Sequence, residues 1–409
     1  MSGFASDTLN GSKENPFSVT FHGGILAPFS RLKVANPKTL FDSKQIHDNQ
    51  PLLWDTQTTG TGSSVYDNTN AKTVLSVTTT GDKAIRQTKQ RFNYQPGKGQ
   101  VIIITGKFNS GAEKTRIGYF DGNNGVFLEI DNSVVSWNIM KNGVVTETAT
   151  QDQWNIDNLN GYGTSRKTLD FTKQNIAIIQ MEWLGVGSVG VGFDLDGMII
   201  PCHAFNHASA FDEVYTQTPN LPVRYEIESN GGAGSLYSNC CSVQSEGSFD
   251  DISVSRSLFN FEKTISVTGI ALQPICIMRI KSGYKGATIN PISINTISTS
   301  NDNYGWAILM NPTYGTSVTY HSLPNSAIEY QNLKTATPIT TLHQIGSGNE
   351  GIVLDSGYAS STNRSTNEDL NNALRLGFDL ADVGDTMCLA IQTFSNTTIT
   401  GSITLRELL

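Results

Sequence analysis

Short runs of alternating apolar and polar residues dominate the chain from about residue 101 onward, and this alternation is typical of half-buried β-strands. Turn-forming residues separate the runs at intervals of roughly eight to twelve residues, which is the spacing of an antiparallel β-sandwich. The first series of predicted strands comprises residues 101–107, 116–120, 126–130, 134–139, 176–183, 189–195, 198–204 and 223–228.

A second series of strands begins near Phe261, after the polar stretch 231–251. It comprises residues 264–270, 275–281, 291–299, 304–311, 351–358, 385–393 and 399–405. One short helix is predicted over residues 367–375, because Asn367 can cap it and the acidic residues that follow suit the positive end of the helix dipole. Since no other segment has helical periodicity over more than about two turns, the fold class is predicted to be all-β.

The first hundred residues show little periodicity, and the segments 2–18 and 56–70 are rich in Ser, Thr, Gly and Asn. We interpret residues 1–80 as an extended N-terminal arm that becomes ordered only against the rest of the fold or a neighbouring subunit. Phe41 and Trp54 would anchor this arm, since large apolar side chains are usually buried. The predicted organisation is the arm, a β-sandwich over residues 81–256 and a second β-sandwich over residues 257–409.

Glycine pairs mark several of the predicted turns. An Asp or Asn that tolerates positive φ precedes glycine, as type I′ hairpins require, in Asp121-Gly122, Asn124-Gly125, Asn142-Gly143 and Asp196-Gly197. Within the strand 189–195, Gly190 and Gly192 leave one face nearly bare. This predicts that another strand or chain passes close over that face.

Composition and charge restrict the possible partners. The chain has 409 residues, 38% of them hydrophobic and 16% charged, with a net charge of −8. Its length favours two or three domains, and the lack of a Lys/Arg cluster argues against direct contact with nucleic acid. No continuous apolar segment of about 18 residues predicts a membrane span. No signal peptide follows Met1, so synthesis in a cytoplasm is expected.

Two sets of residues resemble known families. Residues 119–129 and 182–193 look like the strand-turn-strand runs of concanavalin-like (laminin-G-type) jelly-roll sandwiches, a resemblance that covers roughly residues 80–255. Residues 86–100, 182–185 and 218–226 are similar to a group of uncharacterised proteins of tailed phages and marine viral sequences. That similarity continues through residues 272–287, 309–313 and 404–407, although Leu405 stands where an aromatic residue is expected.

The resemblance implies a structural component of a tailed-bacteriophage virion, located in the tail, baseplate, fibre or capsid decoration and synthesised in the host cytoplasm. Such a protein is not an enzyme, and its partners are other virion proteins and copies of itself, bound through subunit contacts. The family has no assigned catalytic residues, so no catalytic, cofactor-binding or metal residue and no cofactor is carried over. A receptor-binding or glycan-binding module, contacting a host-surface glycan, is the first alternative; a polysaccharide-degrading enzyme is the second.

The enzyme alternative needs two carboxylates that face each other across a groove. Glu226 and Glu228 lie on one face of a predicted strand, but Glu226 follows directly on Arg224 and Tyr225. A structural ion pair or a cross-strand partner is therefore the favoured interpretation of Glu226. Aromatic residues that could stack on sugars, although core or interface packing is more common, are Tyr119, Tyr162 and Tyr237.

Metal and redox chemistry have few candidates. Cys202, His203 and His207 are close in sequence, but neighbours in a strand point to opposite faces, so zinc is not expected. Strand-end carboxylates could bind calcium or could simply be turn residues; these are Asp131, Asp194 and Asp196. The five cysteines, without CxxC spacing, are expected to be buried free thiols; they are Cys202, Cys240, Cys241, Cys276 and Cys388.

Overall fold

The computed structural model describes residues 26–27, 31–32, 36–108, 113–247, 252–265, 272–298, 303–314, 317–332, 351–359, 365–369 and 375–409. The first strands are β1 (Leu26–Ala27), β2 (Arg31–Leu32), β3 (Lys38–Ser43), β4 (Trp54–Thr59), β5 (Ser63–Asp67), β6 (Lys72–Val77), β7 (Lys83–Thr88), β8 (Gly99–Phe108), β9 (Glu113–Phe120), β10 (Gly125–Asp131), β11 (Val134–Lys141) and β12 (Val144–Thr150). Next come β13 (Gln174–Met181), β14 (Val189–Leu195), β15 (Met198–Phe205), β16 (Val223–Ser229) and β17 (Gly234–Glu246).

The remaining strands are β18 (Val254–Ile265), β19 (Gln273–Ile280), β20 (Thr288–Ser298), β21 (Tyr304–Met310), β22 (His321–Ser322), β23 (Ile328–Asn332), β24 (Ile352–Ala359), β25 (Ser365–Asp369), β26 (Thr386–Thr393) and β27 (Thr397–Leu408). Short 3₁₀ turns lie at Gln151–Gln153 and Ser282–Tyr284. The described part of the chain contains no α-helix, and the prediction of an all-β fold is confirmed.

Strands β3 to β17 form the first sandwich. Its front sheet has the order β12-β11-β10-β9-β16-β7-β4, and its back sheet has the order β15-β14-β13-β8-β17-β6-β5, with β3 also paired to β17. The pairs in both sheets are antiparallel. The core lies between the sheets, where Trp137 of β11 packs 5.9 Å from Phe193 of β14. This is the antiparallel sandwich that the concanavalin-like resemblance implies.

Most of the described part of the predicted N-terminal arm is ordered against the rest of the fold. Residues 38–77 of that arm form strands β3 to β6, which extend both sheets of the first sandwich. Both predicted anchors are buried, and the ring of Trp54 lies 5.9 Å from that of Tyr225 in the core. The Ser- and Thr-rich segment 56–70 reaches the sheet edges, where polar side chains face solvent and hide the strand pattern. The other predicted domain bounds, at residues 256 and 257, stay predictions.

Strands β18 to β27 form the second sandwich. Its small sheet has the order β18-β27-β20-β25, and its large sheet has the order β22-β23-β19-β26-β21-β24. Ile294 and Ile403 of the small sheet share a buried cluster with Met278 and Leu389 of the large sheet. The predicted sequence of one antiparallel sandwich followed by another is confirmed.

The prediction of a helix over residues 367–375 is wrong for the residues of this segment that the structure describes. Residues 367–369 belong to β25, which pairs antiparallel with β20 through Ser293 and Asp369. The edge of β20 offers backbone hydrogen bonds that outweigh the local capping preference of Asn367. Residues 370–374 lie outside the described residues.

The predicted turns are confirmed in part. Positive φ values occur at Asn142-Gly143, between β11 and β12, and at Asp196-Gly197, between β14 and β15. The other two pairs share the single turn between β9 and β10, where Asp121 Oδ1 accepts hydrogen bonds from the N–H groups of Asn123 and Asn124. A Cβ at Gly192 would lie 2.4 Å from the Ile200 carbonyl oxygen of the neighbouring strand. The close approach at Gly192 therefore comes from the neighbouring strand of the same sheet, and a strand or chain over the bare face stays a prediction.

The two sandwiches contact each other through the segment that precedes β26 and through the residues just before β20. The Phe378 N–H donates to the Lys89 carbonyl oxygen at 3.0 Å, and the Leu380 N–H donates to Asp55 Oδ2 at 2.7 Å. Asn220 Nδ2 donates to the Gly286 carbonyl oxygen at 3.0 Å. These bonds place residues 375–385 beside one edge of the front sheet.

No helix in the described ranges has the length and apolarity to cross a membrane.

Candidate functional site

The outward face of the front sheet carries a buried ion-pair network. Alternation along β16 turns Arg224, Glu226 and Glu228 outward, while Tyr225 and Ile227 enter the core. Glu226 Oε1 lies 2.8 Å from Lys83 Nζ and 3.4 Å from Arg116 Nη1, and Glu226 Oε2 lies 2.9 Å from Arg224 Nε. The side chain of Glu226 is only 3% exposed. The ion pair that the sequence favours for Glu226 is present.

The electrostatics of Glu226 keep it ionised. Burial alone would raise the pKa of its carboxyl, but the charges of Arg224, Lys83 and Arg116 outweigh that effect and lower the pKa to about 2. Glu228 Oε2 lies 3.6 Å from the same Lys83 ammonium. The two carboxylates are therefore joint partners of one cation on one face, and Glu226 holds no proton to donate near neutral pH.

Two further acidic residues on this face form ion pairs that the sequence did not predict. Glu129 Oε2 lies 2.6 Å from Arg116 Nε, and Asp131 Oδ2 lies 2.8 Å from Lys114 Nζ. Glu129 and Asp131 alternate along β10 beside cations that alternate along β9. That alternation of opposite charge was a readable signal, but only once β9 and β10 were known to pair in this register. Asp131, a calcium candidate, is thus an ion-pair partner of Lys114.

A polar cleft of about 240 Å³ lies where the front sheet meets the second sandwich. The second sandwich contributes Lys285, Asp379, Leu380 and Asp382 to its wall. The first sandwich contributes amides, charged groups and one apolar side chain from β4, β7, the segment after β7, β16 and the β9–β10 turn, namely Gln57, Ile85, Gln87, Arg91, Asp121, Asn123 and Arg224, together with Gly122. None of these residues was a candidate from sequence except Arg224, because they come from distant parts of the chain.

Each cation of the cleft faces an acceptor. Arg91 Nη1 lies 2.6 Å from Asp121 Oδ2, and Lys285 Nζ lies 2.5 Å from Asp382 Oδ1. Arg224 Nη1 donates to Gln87 Oε1 at 3.2 Å, in addition to its contact with Glu226. The cleft is therefore strongly polar without an excess of either charge.

The turn between β9 and β10 holds the anionic side of the cleft in place. Burial opposes ionisation of Asp121, but the charge of Arg91 and the N–H groups of Asn123 and Asn124 outweigh it, so the pKa of Asp121 lies below its ordinary value. Within the described residues, the side-chain amides of Gln57 and Asn123 make no hydrogen bond. These amides each offer donors and an acceptor to a molecule in the cleft.

The zinc candidates do not converge. His207 is buried, with Nε2 2.9 Å from Glu147 Oε1 and Nδ1 2.6 Å from the Gly187 carbonyl oxygen. Cys202 Sγ donates to the Val191 carbonyl oxygen, and burial raises the pKa of its thiol well above the ordinary value. His203 Nδ1 accepts from the backbone of a neighbouring segment. Across the described ranges, no three His, Cys, Asp or Glu side chains are grouped to hold a metal ion.

The remaining acidic candidates and Tyr119 have structural surroundings. Asp196 Oδ2 lies 2.6 Å from Lys167 Nζ, and this hydrogen bond and charge lower the pKa of Asp196. Asp194 lies within β14 and does not end it. Tyr119 is fully buried and donates to the Phe92 carbonyl oxygen at 3.1 Å.

The other aromatic and cysteine candidates differ in exposure. The ring of Tyr237 lies under two lysine ammonium groups, at 4.0 Å and 5.0 Å, and Tyr162 is 85% exposed. All five cysteines are free, and four are buried as expected; Cys240 is exposed, which corrects the expectation for that residue. Neighbouring residues of a strand point to opposite faces, and on β17 it is Cys241 that enters the core.

Comparison with protein-family models and with curated proteins gives no match. Among solved structures, the chain is similar to a β-glucanase of Bacillus licheniformis, at 11% identity and a TM-score of 0.34 over 51% of this chain and 98% of that chain. It is also similar to a lectin from Bauhinia forficata in complex with GalNAc, at 11% identity and a TM-score of 0.32, over 52% and 99%. A protein of unknown function with a galectin-like fold from Bacillus subtilis aligns at 8% identity and a TM-score of 0.35, over 53% and 100%. At such low identities and TM-scores, these similarities do not indicate what this chain does.

Proposed function

We propose that this chain is a carbohydrate-binding protein, and that the polar cleft between its sandwiches holds one sugar unit of a glycan. The observation that supports the proposal is a cleft of about 240 Å³ in which unpartnered amides stand beside paired carboxylates and guanidinium groups. Sugar hydroxyls donate and accept hydrogen bonds, and such a lining can satisfy both. The volume is below the range of roughly 300–1,000 Å³ typical of pockets for drug-sized ligands, so the ligand is a small one.

The charge balance favours a neutral ligand in the cleft. Arg91, Arg224 and Lys285 each have an acceptor partner, so a phosphate or carboxylate would have to displace a carboxylate of the protein. A mainly apolar ligand is equally disfavoured, because Ile85 and Leu380 are the apolar side chains in the wall. Hydroxyl-rich molecules avoid both costs.

Glycan-array binding tests the proposal. The variant combining Gln57→Ala and Asn123→Ala should bind its glycan about tenfold more weakly than the wild type, since each lost hydrogen bond costs about 0.5–1.5 kcal/mol. Gln174→Ala is the matched control, because Gln174 is also an exposed strand glutamine but lies in the back sheet. Equal binding by the two variants, or no glycan bound by the wild type, would contradict the assignment.

A structural role in a phage particle is the second candidate, and it rests on the family resemblance together with exposed apolar side chains suited to subunit contacts. Ile252, Phe259 and Tyr358 of the second sandwich are each more than 70% exposed. Immunogold labelling of particles and light scattering of the purified chain test this role. Labelled virions and an oligomer would support it. A receptor-binding component of a fibre or baseplate would have both the structural and the carbohydrate-binding role. A monomer absent from particles would contradict it.

Polysaccharide degradation has weaker support from the geometry. The Glu226 carboxylate is held ionised by three cations, and Glu228 shares one of them. Release of new reducing ends from a bound glycan would nevertheless show turnover, and the same glycans that bind on the array are the substrates to assay.

A further inference from the structure

The outward face of the small sheet carries an exposed aromatic ring beside uncharged polar groups. Phe259 of β18 is 75% exposed. It lines a shallow depression of about 280 Å³ with residues of β20 and β27, namely Asn295, Ile297, Thr400, Gly401 and Ser402. Among the described residues that line this depression none is charged, in contrast to the cleft.

The strand register fixes which side chains share this face. Asn295 lies directly opposite Ser402, and Ile297 lies opposite Thr400, so the two pairs point to the same side of the sheet. Gly401 between them faces the core, because a Cβ there would lie 2.8 Å from Ile275 Cδ1. Thr400 and Ser402 must therefore point outward.

A register shift in β18 sets the position of the ring. The pairing of β18 with β27 shifts between Leu258 and Phe261, directly opposite the outward-facing Ser402. Bulges of this kind turn side chains into new directions and often occur beside binding sites. Phe259 stands at this shift, next to a hydroxyl on β27.

The polar groups of the depression are available to a ligand. The side chains of Asn295, Thr400 and Ser402 make no hydrogen bond within the described residues. Together they offer hydroxyl and amide donors and acceptors along two neighbouring strands. An aromatic face beside a few directed polar groups is the usual composition of a small-molecule site.

We propose that this face is a second carbohydrate site, which binds a neutral polysaccharide by stacking one sugar ring on Phe259. The apolar face of the sugar covers the ring, and its hydroxyls bond to Thr400, Ser402 and Asn295. An acidic polysaccharide is disfavoured as the ligand, because the described lining of the depression contains no cation to offset the desolvation of its carboxylates. The site is independent of the cleft, since the two share no residue.

Affinity electrophoresis of the full chain tests the site. The gels contain dextran, hydroxyethyl cellulose or galactomannan as neutral probes, and alginate as an acidic probe. At least one neutral polymer should retard the wild type, and alginate should not. Phe259→Ala and Thr400→Val should each weaken that retardation about two- to tenfold, whereas Phe259→Trp should preserve it.

Two control variants distinguish binding at Phe259 from binding in the cleft or at an unrelated exposed ring. Tyr162→Ala removes an even more exposed aromatic ring from the first sandwich and should retain binding. Gln57→Ala alters the cleft and should also retain retardation by the neutral polymer. Loss with Gln57→Ala but not with Phe259→Ala would leave the cleft as the binding site and overturn the second one. Retardation by alginate alone, or a change of oligomeric mass with Phe259→Ala, would likewise overturn it.

Discussion

Replacing Glu226 by glutamine should destabilise the first sandwich, because it removes the anion surrounded by Lys83, Arg116 and Arg224. The pKa of Glu226 is about 2, against an ordinary value of 4.5. At about 1.4 kcal/mol per pKa unit, this difference corresponds to ~3 kcal/mol of stability at neutral pH. Loss of one partner from a buried ion pair typically costs about 3–5 kcal/mol. We therefore expect the free energy of unfolding to fall by about 3 kcal/mol.

The lowered pKa of Glu226 determines how its contribution to stability depends on pH. Because folding lowers the pKa of Glu226, its stabilising contribution is fully present above pH 4.5 and is lost as the pH falls towards about 2. The difference in unfolding free energy between the wild type and Glu226→Gln should accordingly be largest near neutral pH. It should shrink steadily below pH 4.5.

Urea unfolding followed by tryptophan fluorescence measures this difference, because four of the five tryptophans lie in the first sandwich: Trp54, Trp137, Trp154 and Trp183. Glu228→Gln is the control, since that side chain is 42% exposed and should contribute less than about 1 kcal/mol. If the two variants lost similar stability at neutral pH, or if Glu226→Gln followed the wild-type pH profile, the reasoning about the network would be refuted.

Two further predictions concern buried groups of the first sandwich. His207→Ala should lower the free energy of unfolding by about 2–4 kcal/mol. The substitution leaves Glu147 and the Gly187 carbonyl oxygen without their partner and removes a ring stacked 4.3 Å from Tyr215. Thermal unfolding measures the loss, and unchanged stability would contradict the prediction. In the native protein, Cys240 alone should react with a thiol reagent such as dithionitrobenzoate. Burial raises the pKa of the Cys241 thiol, so Cys241 should react only after unfolding. Release of more than one equivalent of chromophore from native protein would contradict this prediction.

Sequence periodicity predicts the strands that lie in regular pairings and misses those whose pattern is interrupted. Strand β14 (Val189–Leu195) has the predicted bounds, because Val189, Val191 and Phe193 enter the core at alternate positions. The polar stretch 231–251 contains β17 (Gly234–Glu246), a central strand of the back sheet. Its register against β8 shifts between Ser238 and Cys241, and buried serines replace the apolar residues that usually mark a core strand. Alternation alone cannot reveal such a strand.

The candidate cleft could not be predicted from sequence for a different reason. Its walls come from β4, β7 and β16, from Arg91 and the β9–β10 turn, and from Lys285 and residues 379–382 of the second sandwich. The period of two along β16 predicts that Arg224, Glu226 and Glu228 share a face. It does not predict that Lys83 and Arg116 reach them, because those contacts depend on the order of strands in the sheet.

The ion-pair network and the cleft are physically linked through Arg224. Its guanidinium binds Glu226 through Nε and donates to Gln87 Oε1 through Nη1, so one side chain belongs both to the network and to the cleft wall. Without the Glu226 charge, Arg224 becomes an unpaired cation beside the cleft. Glu226→Gln should therefore shift the preference of the cleft from neutral towards acidic sugars on the array, while binding at Phe259 stays unchanged because the depression beside Phe259 shares no residue with the cleft.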